Sequence, residues 1–181
     1  MKLYLVNYRH KESEACKSIT ELPLEEAKKL AEKLHADSDC RAHRRFGAAF
    51  ERYYVDRCKV EQWMRESFCK LGGMPERSHP LYFTLLPSEI LSENYGENCI
   101  TEIDLDEVAD IDISFTFGDS MALYYTEKLT QMFTKSYLLK QLELYDNDVN
   151  KRLEQEKEQI TFIEAQLWNN KYLRNDWKEC K

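Results

Sequence analysis

Two parts of the chain combine residue types that could do chemistry. His79 and Tyr82 lie three residues apart where a predicted strand begins, and they are the best candidates for enzymatic side chains. A proline after His79 is also an ordinary way for an edge strand to start. The second part is residues 78–127, which hold eleven Asp and Glu and no Lys or Arg, in a chain that has 26 Lys and Arg and a net charge of −7.

The acidic segment, residues 78–127, has a pattern that indicates folding. Apolar and acidic residues alternate over about 99–105 and 111–117, and a period of two predicts half-buried strands. If these two strands pair, their carboxylates share one sheet face at about 5 Å spacing. Such repulsion is tolerated when a partner supplies cations. The predicted partner-binding residues are Glu102, Asp104, Asp106, Asp110 and Asp112.

Other candidate motifs indicate no further chemistry. Cys40-x-x-His43 has the spacing of metal ligands, but zinc requires two more ligands, and no second pair exists in the sequence. Gly118-Asp119-Ser120 is typical of a turn, so we do not interpret its serine as a nucleophile. No phosphate-binding glycine motif is present. We therefore predict no metal site and no cofactor, and we expect the six cysteines to be free thiols.

The elements that must position these residues predict an α+β fold. We expect a mostly antiparallel sheet of about five strands, with helices on one face, in a single domain over 1–181. Strands are predicted near 2–8, 80–86, 99–105 and 111–117, with a hairpin over 121–133. Helices are predicted near 22–35, 41–71 and 135–145, followed by a long C-terminal helix over about 149–173. The sequence has neither an apolar run of 18 residues nor a signal peptide, so we expect a cytoplasmic protein.

His79 and Tyr82 resemble the residues with which ADP-ribosyltransferases grip their nucleotide. Those enzymes also require a carboxylate on a later strand, and Glu102 is the candidate for it. The resemblance implies a nucleotide-dependent transferase that uses His79 and Tyr82.

A second resemblance involves residues 79–83, 114–121 and 164–168. These stretches look like a family of small, mostly uncharacterised proteins from gut bacteria and their mobile elements, and some similar proteins are anti-CRISPR inhibitors. The resemblance implies an inhibitor that blocks an RNA-guided nuclease by binding to it. It assigns no role to any particular residue.

The charge pattern and the second resemblance together favour a non-enzymatic acidic binding protein that inhibits a nucleic-acid-handling enzyme. Its predicted partner is a basic nucleic-acid-binding protein, with a CRISPR effector nuclease as the favoured case. Direct binding to nucleic acid is disfavoured because the chain is acidic, and no membrane is involved. Three alternatives stay open: the nucleotide-dependent transferase, an accessory interaction module, and an acidic face that only aids solubility.

Overall fold

A computed structural model describes residues 2–11, 13–36, 40–96, 98–156, 160–174 and 177. Within these residues, six antiparallel strands form one sheet in the order β3-β1-β2-β6-β4-β5. The predicted α+β class is thereby confirmed. The strands are β1 (Tyr4–His10), β2 (Leu81–Leu85), β3 (Asn98–Asp104), β4 (Ile113–Phe117), β5 (Phe133–Thr134) and β6 (Ile163–Leu167).

Six α-helices are described alongside short 3-10 turns. They are α1 (Leu24–Ala36), α2 (Phe50–Lys70), α3 (Glu89–Tyr95), α4 (Ser120–Tyr125), α5 (Lys135–Glu143) and α6 (Val149–Leu153). The 3-10 turns cover Ile19–Glu21, Arg41–Phe46, Leu105–Glu107, Asp110–Asp112 and Asn170–Tyr172. None of these helices has the length and apolar character that a membrane crossing requires.

One face of the sheet is apolar. Alternate strand residues such as Phe83, Phe115 and Ala165 are buried there, and they pack with Leu138 of α5 and Val149 of α6. Burying these side chains is the main favourable term for the fold, at about 25 cal/mol per Å² of apolar surface.

The opposite face carries polar residues and is covered by α2 and α4. Val60, Met64 and Phe68 of α2 form a second apolar cluster with Met121 and Trp168. Helices therefore lie on both faces of the sheet, and the prediction of helices on one face is wrong. A third cluster joins α1 to the start of α2.

The predicted C-terminal helix over 149–173 is wrong. Helix α6 ends at Leu153, and residues 163–167 form β6, which lies inside the sheet between β2 and β4. Ile163, Ala165 and Leu167 alternate with Glu164 and Gln166, and all five are buried. Because β6 pairs on both sides, its backbone hydrogen bonds favour the strand over a helix.

The two acidic strands do not pair with each other, so the condition for a shared row of carboxylates is not met. Strands β3 and β4 are separated by β1, β2 and β6, so their carboxylates do not share a neighbouring row. The predicted hairpin over 121–133 is replaced by α4, whose first turn is capped by Asp119, and by the two-residue β5. Cys99 is disulfide-bonded, which corrects the expectation of six free thiols.

Candidate functional site

A set of buried polar residues lies on the sheet face beneath α2 and α4. Tyr82 of β2 stands opposite Gln166 of β6, and Thr84 stands opposite Glu164. Ser114 and Thr116 of β4 flank Gln166 and Glu164 on the other side. The polar cluster comprises Arg57, Glu61, His79, Tyr82, Ser114, Thr116, Ser120, Glu164 and Gln166. Because burying a polar group without a hydrogen bond is costly, each bond in the cluster contributes to holding the others in place.

Helix α2 places a cation inside the polar cluster. Arg57 and Glu61 are one helical turn apart, and Arg57 Nε donates to Glu61 Oε1 over 3.2 Å. The guanidinium of Arg57 lies 3.7 Å from the centre of the Tyr82 ring, and its Nη1 donates to Ser120 Oγ over 3.2 Å. A buried arginine held by a carboxylate, a hydroxyl and an aromatic face keeps its charge.

Glu61 is bonded on both oxygens. Its Oε2 lies 2.6 Å from Nδ1 of His79, and its Oε1 accepts the Tyr82 hydroxyl over 3.0 Å as well as Arg57 Nε. Only 1% of the Glu61 side chain is exposed. The two residues that the sequence identified, His79 and Tyr82, are thus brought together on one carboxylate.

Glu164 is the second buried carboxyl group of the polar cluster. It accepts from Gln166 Nε2 over 3.0 Å and from the Ser120 amide over 3.4 Å. Burial raises the pKa of Glu164 to about 7, helped by the nearby Asp119 carboxylate and opposed by Arg57. A carboxyl group that titrates near neutral pH beside a fixed cation is typical of functional sites.

Hydroxyl and amide groups extend the polar cluster along β4 and β6. Gln166 Nε2 donates to Thr116 Oγ1 over 3.2 Å, and Ser114 Oγ donates to Gln166 Oε1 over 2.9 Å. Trp168 Nε1 donates to Ser114 Oγ over 2.8 Å. An unbroken series of contacts therefore connects the interior of the sheet to His79.

The polar cluster reaches the surface at His79. About 27% of that side chain is exposed, and Tyr82 is half-buried. Asp119, which precedes α4, is half-buried as well. The imidazole of His79 is therefore accessible at the surface, whereas the carboxyl of Glu164 is buried.

Glu102 does not complete this arrangement. It lies on β3, and β1 separates β3 from β2, so it is about 10 Å from the Tyr82 strand. The carboxyl groups that do contact the cluster, Glu61 and Glu164, were not among the predicted residues. Two features of the sequence could have indicated them. Arg57 is a charged residue within the apolar stripe of α2, and Glu164 and Gln166 stand between apolar residues at 163–167.

Three of the five predicted acidic residues are used within the fold. Asp112 is buried and contacts Lys171 Nζ and the Tyr172 hydroxyl over 2.6 Å each. Burial opposes its ionisation, but these bonds outweigh that effect and hold the pKa of Asp112 below its ordinary range. Asp104 pairs with Lys2 over 2.6 Å, which lowers the pKa of that carboxyl.

Asp110 caps the start of α5. It accepts from the Ser136 amide over 2.9 Å and from the Ser136 hydroxyl over 2.5 Å. The remaining two predicted residues, Glu102 and Asp106, are exposed, and neither forms an ion pair among the described residues. An acidic surface at β3 therefore consists of fewer carboxylates than the sequence suggested.

The Cys40 and His43 pair has structural contacts. His43 is buried, with Nδ1 3.1 Å from the Leu34 carbonyl, and Cys40 Sγ lies 3.7 Å from the Asn94 carbonyl. Within the described ranges, no three His, Cys, Asp or Glu residues are arranged to hold a metal ion.

Comparisons of the chain with protein-family models, with curated proteins and with solved structures give no match. The two resemblances therefore stay predictions, and the polar cluster and the exposed acids are the features of the molecule that bear on its function.

Proposed function

We propose that the protein is a nucleotide-dependent transferase that works at the polar cluster. The observation that carries the proposal is the position of Glu164 on β6. This strand is next to β2, which His79 precedes and which contains Tyr82, and Glu164 lies on the same sheet face as Tyr82. The resemblance to ADP-ribosyltransferases requires a carboxylate on a later strand. Glu164 takes the place that the sequence assigned to Glu102.

Transfer of ADP-ribose from a nicotinamide dinucleotide needs a negative group near the reacting sugar. The bond between ribose C1′ and the nicotinamide nitrogen breaks, and nicotinamide leaves as a neutral molecule with the bonding electron pair. Positive charge then develops on the ribose, as in glycoside hydrolysis, and a carboxylate stabilises it. Glu164 is suited to this role in its ionised form, which its pKa of about 7 makes accessible at neutral pH.

Access to Glu164 requires part of its cover to move. Only 5% of Glu164 is exposed. Helix α4 has six residues, and Ser120 at its start holds Glu164 through a single long amide bond of 3.4 Å. Displacement of α4 would uncover Glu164, which Ser120 contacts.

The test is nicotinamide release from NAD by the purified protein. We expect turnover in the natural sequence and a loss of roughly 100-fold or more in Glu164→Gln, the usual size for removing an electrostatic stabiliser. Glu102→Gln is the matched control and should retain full turnover. If the natural sequence neither turns over NAD nor binds it in calorimetry, the proposal is wrong.

A second candidate function is the acidic inhibitor of a nucleic-acid-handling enzyme. The exposure of Glu102 and Asp106 at the β3 end of the sheet supports it. Carboxylates there would pair with Lys and Arg in the groove of a CRISPR effector nuclease, and each exposed pair would contribute about 1 kcal/mol or less.

Charge reversal tests the inhibitor proposal. Glu102→Lys with Asp106→Lys should weaken inhibition of target cleavage about 30-fold, the equivalent of about 2 kcal/mol. Glu89→Lys with Glu93→Lys, two exposed acids of α3, is the matched control of equal charge. Equal inhibition by both double variants, or none by the natural sequence, would exclude this surface.

A further inference from the structure

The loop that carries His79 is anchored to the chain around it. The amides of Glu76 and Arg77 donate to the Trp168 carbonyl over 3.0 and 2.9 Å. Arg77 is buried, and its Nε donates to the carbonyl of His79 over 2.9 Å. Its two other guanidinium nitrogens donate to Asn170 and Glu21. The backbone of His79 is therefore held in place by Arg77.

The imidazole of His79 is held by Glu61. A carboxylate only accepts hydrogen bonds, so the contact of 2.6 Å requires the proton on Nδ1 of His79. The other oxygen of Glu61 is occupied by the Tyr82 hydroxyl and Arg57 Nε. Glu61 is thus fixed by α2 and β2 and cannot turn freely.

We infer that Glu61 is a positioning residue that keeps His79 in the Nδ1-protonated form, so that Nε2 is the basic atom presented to the substrate. This rests on the proposed transferase function and extends it. As the acceptor oxygen bonds to ribose C1′ and nicotinamide departs, the proton of the acceptor hydroxyl passes to Nε2 of His79. His79 is exposed enough to meet that hydroxyl, whereas Glu61 is not.

Replacing His79 by Asn separates this role from a structural one. The amide nitrogen of Asn occupies the position of Nδ1 and can still donate to Glu61, but nothing replaces Nε2. We expect His79→Asn to unfold at the same urea concentration as the natural sequence and to lose turnover of NAD by roughly 100-fold or more, as for loss of a general base. Full turnover in His79→Asn would overturn the inference.

The protonation state of the imidazole gives a readout that does not depend on activity. In ¹⁵N spectra of the labelled protein, the His79 signals are those missing from the His79→Asn spectrum. We expect a protonated Nδ1 and an unprotonated Nε2, with Glu61→Gln shifting the ring toward a mixture of the two forms. A protonated Nε2 in the natural sequence refutes the role of Glu61 whether or not NAD is turned over. If the spectrum is as expected but NAD is not turned over, the transferase proposal and the proton transfer to Nε2 are wrong. Only the hydrogen bond from His79 to Glu61 then stands.

Discussion

Replacing Glu164 by Gln should stabilise the protein above pH 7 while it removes activity. The folded protein holds the neutral carboxyl of Glu164 more favourably than the charged form, because burial raises its pKa from 4.5 to about 7. The unfolded chain releases that proton at its ordinary pKa. The stability that the neutral group provides is therefore complete below about pH 4.5 and is lost as the pH rises through about 7.

The size of the effect follows from that difference in pKa. Each pKa unit corresponds to about 1.36 kcal/mol, so a rise from 4.5 to about 7 corresponds to about 3 kcal/mol. Gln resembles the neutral carboxyl, and its amide oxygen can accept the bonds from Gln166 and Ser120. We therefore expect Glu164→Gln to be about as stable as the natural sequence at pH 4.5 and up to about 3 kcal/mol more stable at pH 8.

Urea unfolding at several pH values between 4.5 and 8.5 measures this difference. The decline in stability between pH 4.5 and 8 should be smaller in Glu164→Gln than in the natural sequence. Glu102→Gln changes an exposed carboxyl on β3 and should follow the natural sequence throughout. Parallel pH profiles for Glu164→Gln and the natural sequence would refute the argument, because Glu164 would then not titrate near neutral pH.

The direction of the change also separates function from structure. If Glu164 served only the fold, we would expect Gln at this position, because Gln makes the same contacts without the loss of stability that an ionised buried carboxyl causes at neutral pH. Proteins retain such costs where activity needs a strained or poorly solvated group. A variant that is both more stable and inactive would place Glu164 in the catalytic machinery.

Three further substitutions test the packing around the site. Gly73→Ala should lower the melting temperature by the equivalent of about 1–3 kcal/mol, because a Cβ there would lie 2.5 Å from the Phe68 ring, which is fully buried; an unchanged melting temperature would show that the ring can move aside. Asp112→Asn should cost about 1–2 kcal/mol at pH 7; the cost is modest because the partner Lys171 is exposed to solvent. The difference should shrink as the pH falls toward the lowered pKa of Asp112, and a loss in urea melts that stays constant as the pH is lowered would contradict this. Tyr82→Phe should cost about 1 kcal/mol in the same melts, since only the bond to Glu61 is lost and the ring stays beneath Arg57; a loss several times larger would mean that the ring moves too.

Local sequence patterns predicted the strands whose side chains alternate between core and polar face. Leu81, Phe83 and Leu85 face the apolar core, and the prediction over 80–86 agrees with β2. The C-terminal region was mispredicted because 163–167 is too short for its alternation to outweigh a longer helical stripe. Pairing with β2 and β4 decides its structure, and the partner residues lie 46 to 86 positions away in the chain.

The same dependence on distant residues explains which part of the candidate site the sequence revealed. His79 and Tyr82 are close in sequence and were identified together. Glu61 and Glu164 join them only because α2 crosses the sheet face and β6 inserts beside β2. A local pattern could show that these residues were polar among apolar neighbours, but not that they meet.

Charge counted along the chain also differs from charge distributed in space. The acidic segment lacks cations of its own, yet Asp104 is neutralised by Lys2 and Asp112 by Lys171, from the two ends of the described chain. These pairs connect the edge strand β3 and the 3-10 turn at Asn170–Tyr172 to other parts of the fold. Acids of the segment therefore serve the fold by pairing with lysines that are distant in the sequence. Of the five predicted acids, only Glu102 and Asp106 are exposed and without an ion pair among the described residues. This is why the buried carboxyl of Glu164, rather than the predicted acidic surface, supports the stronger functional proposal.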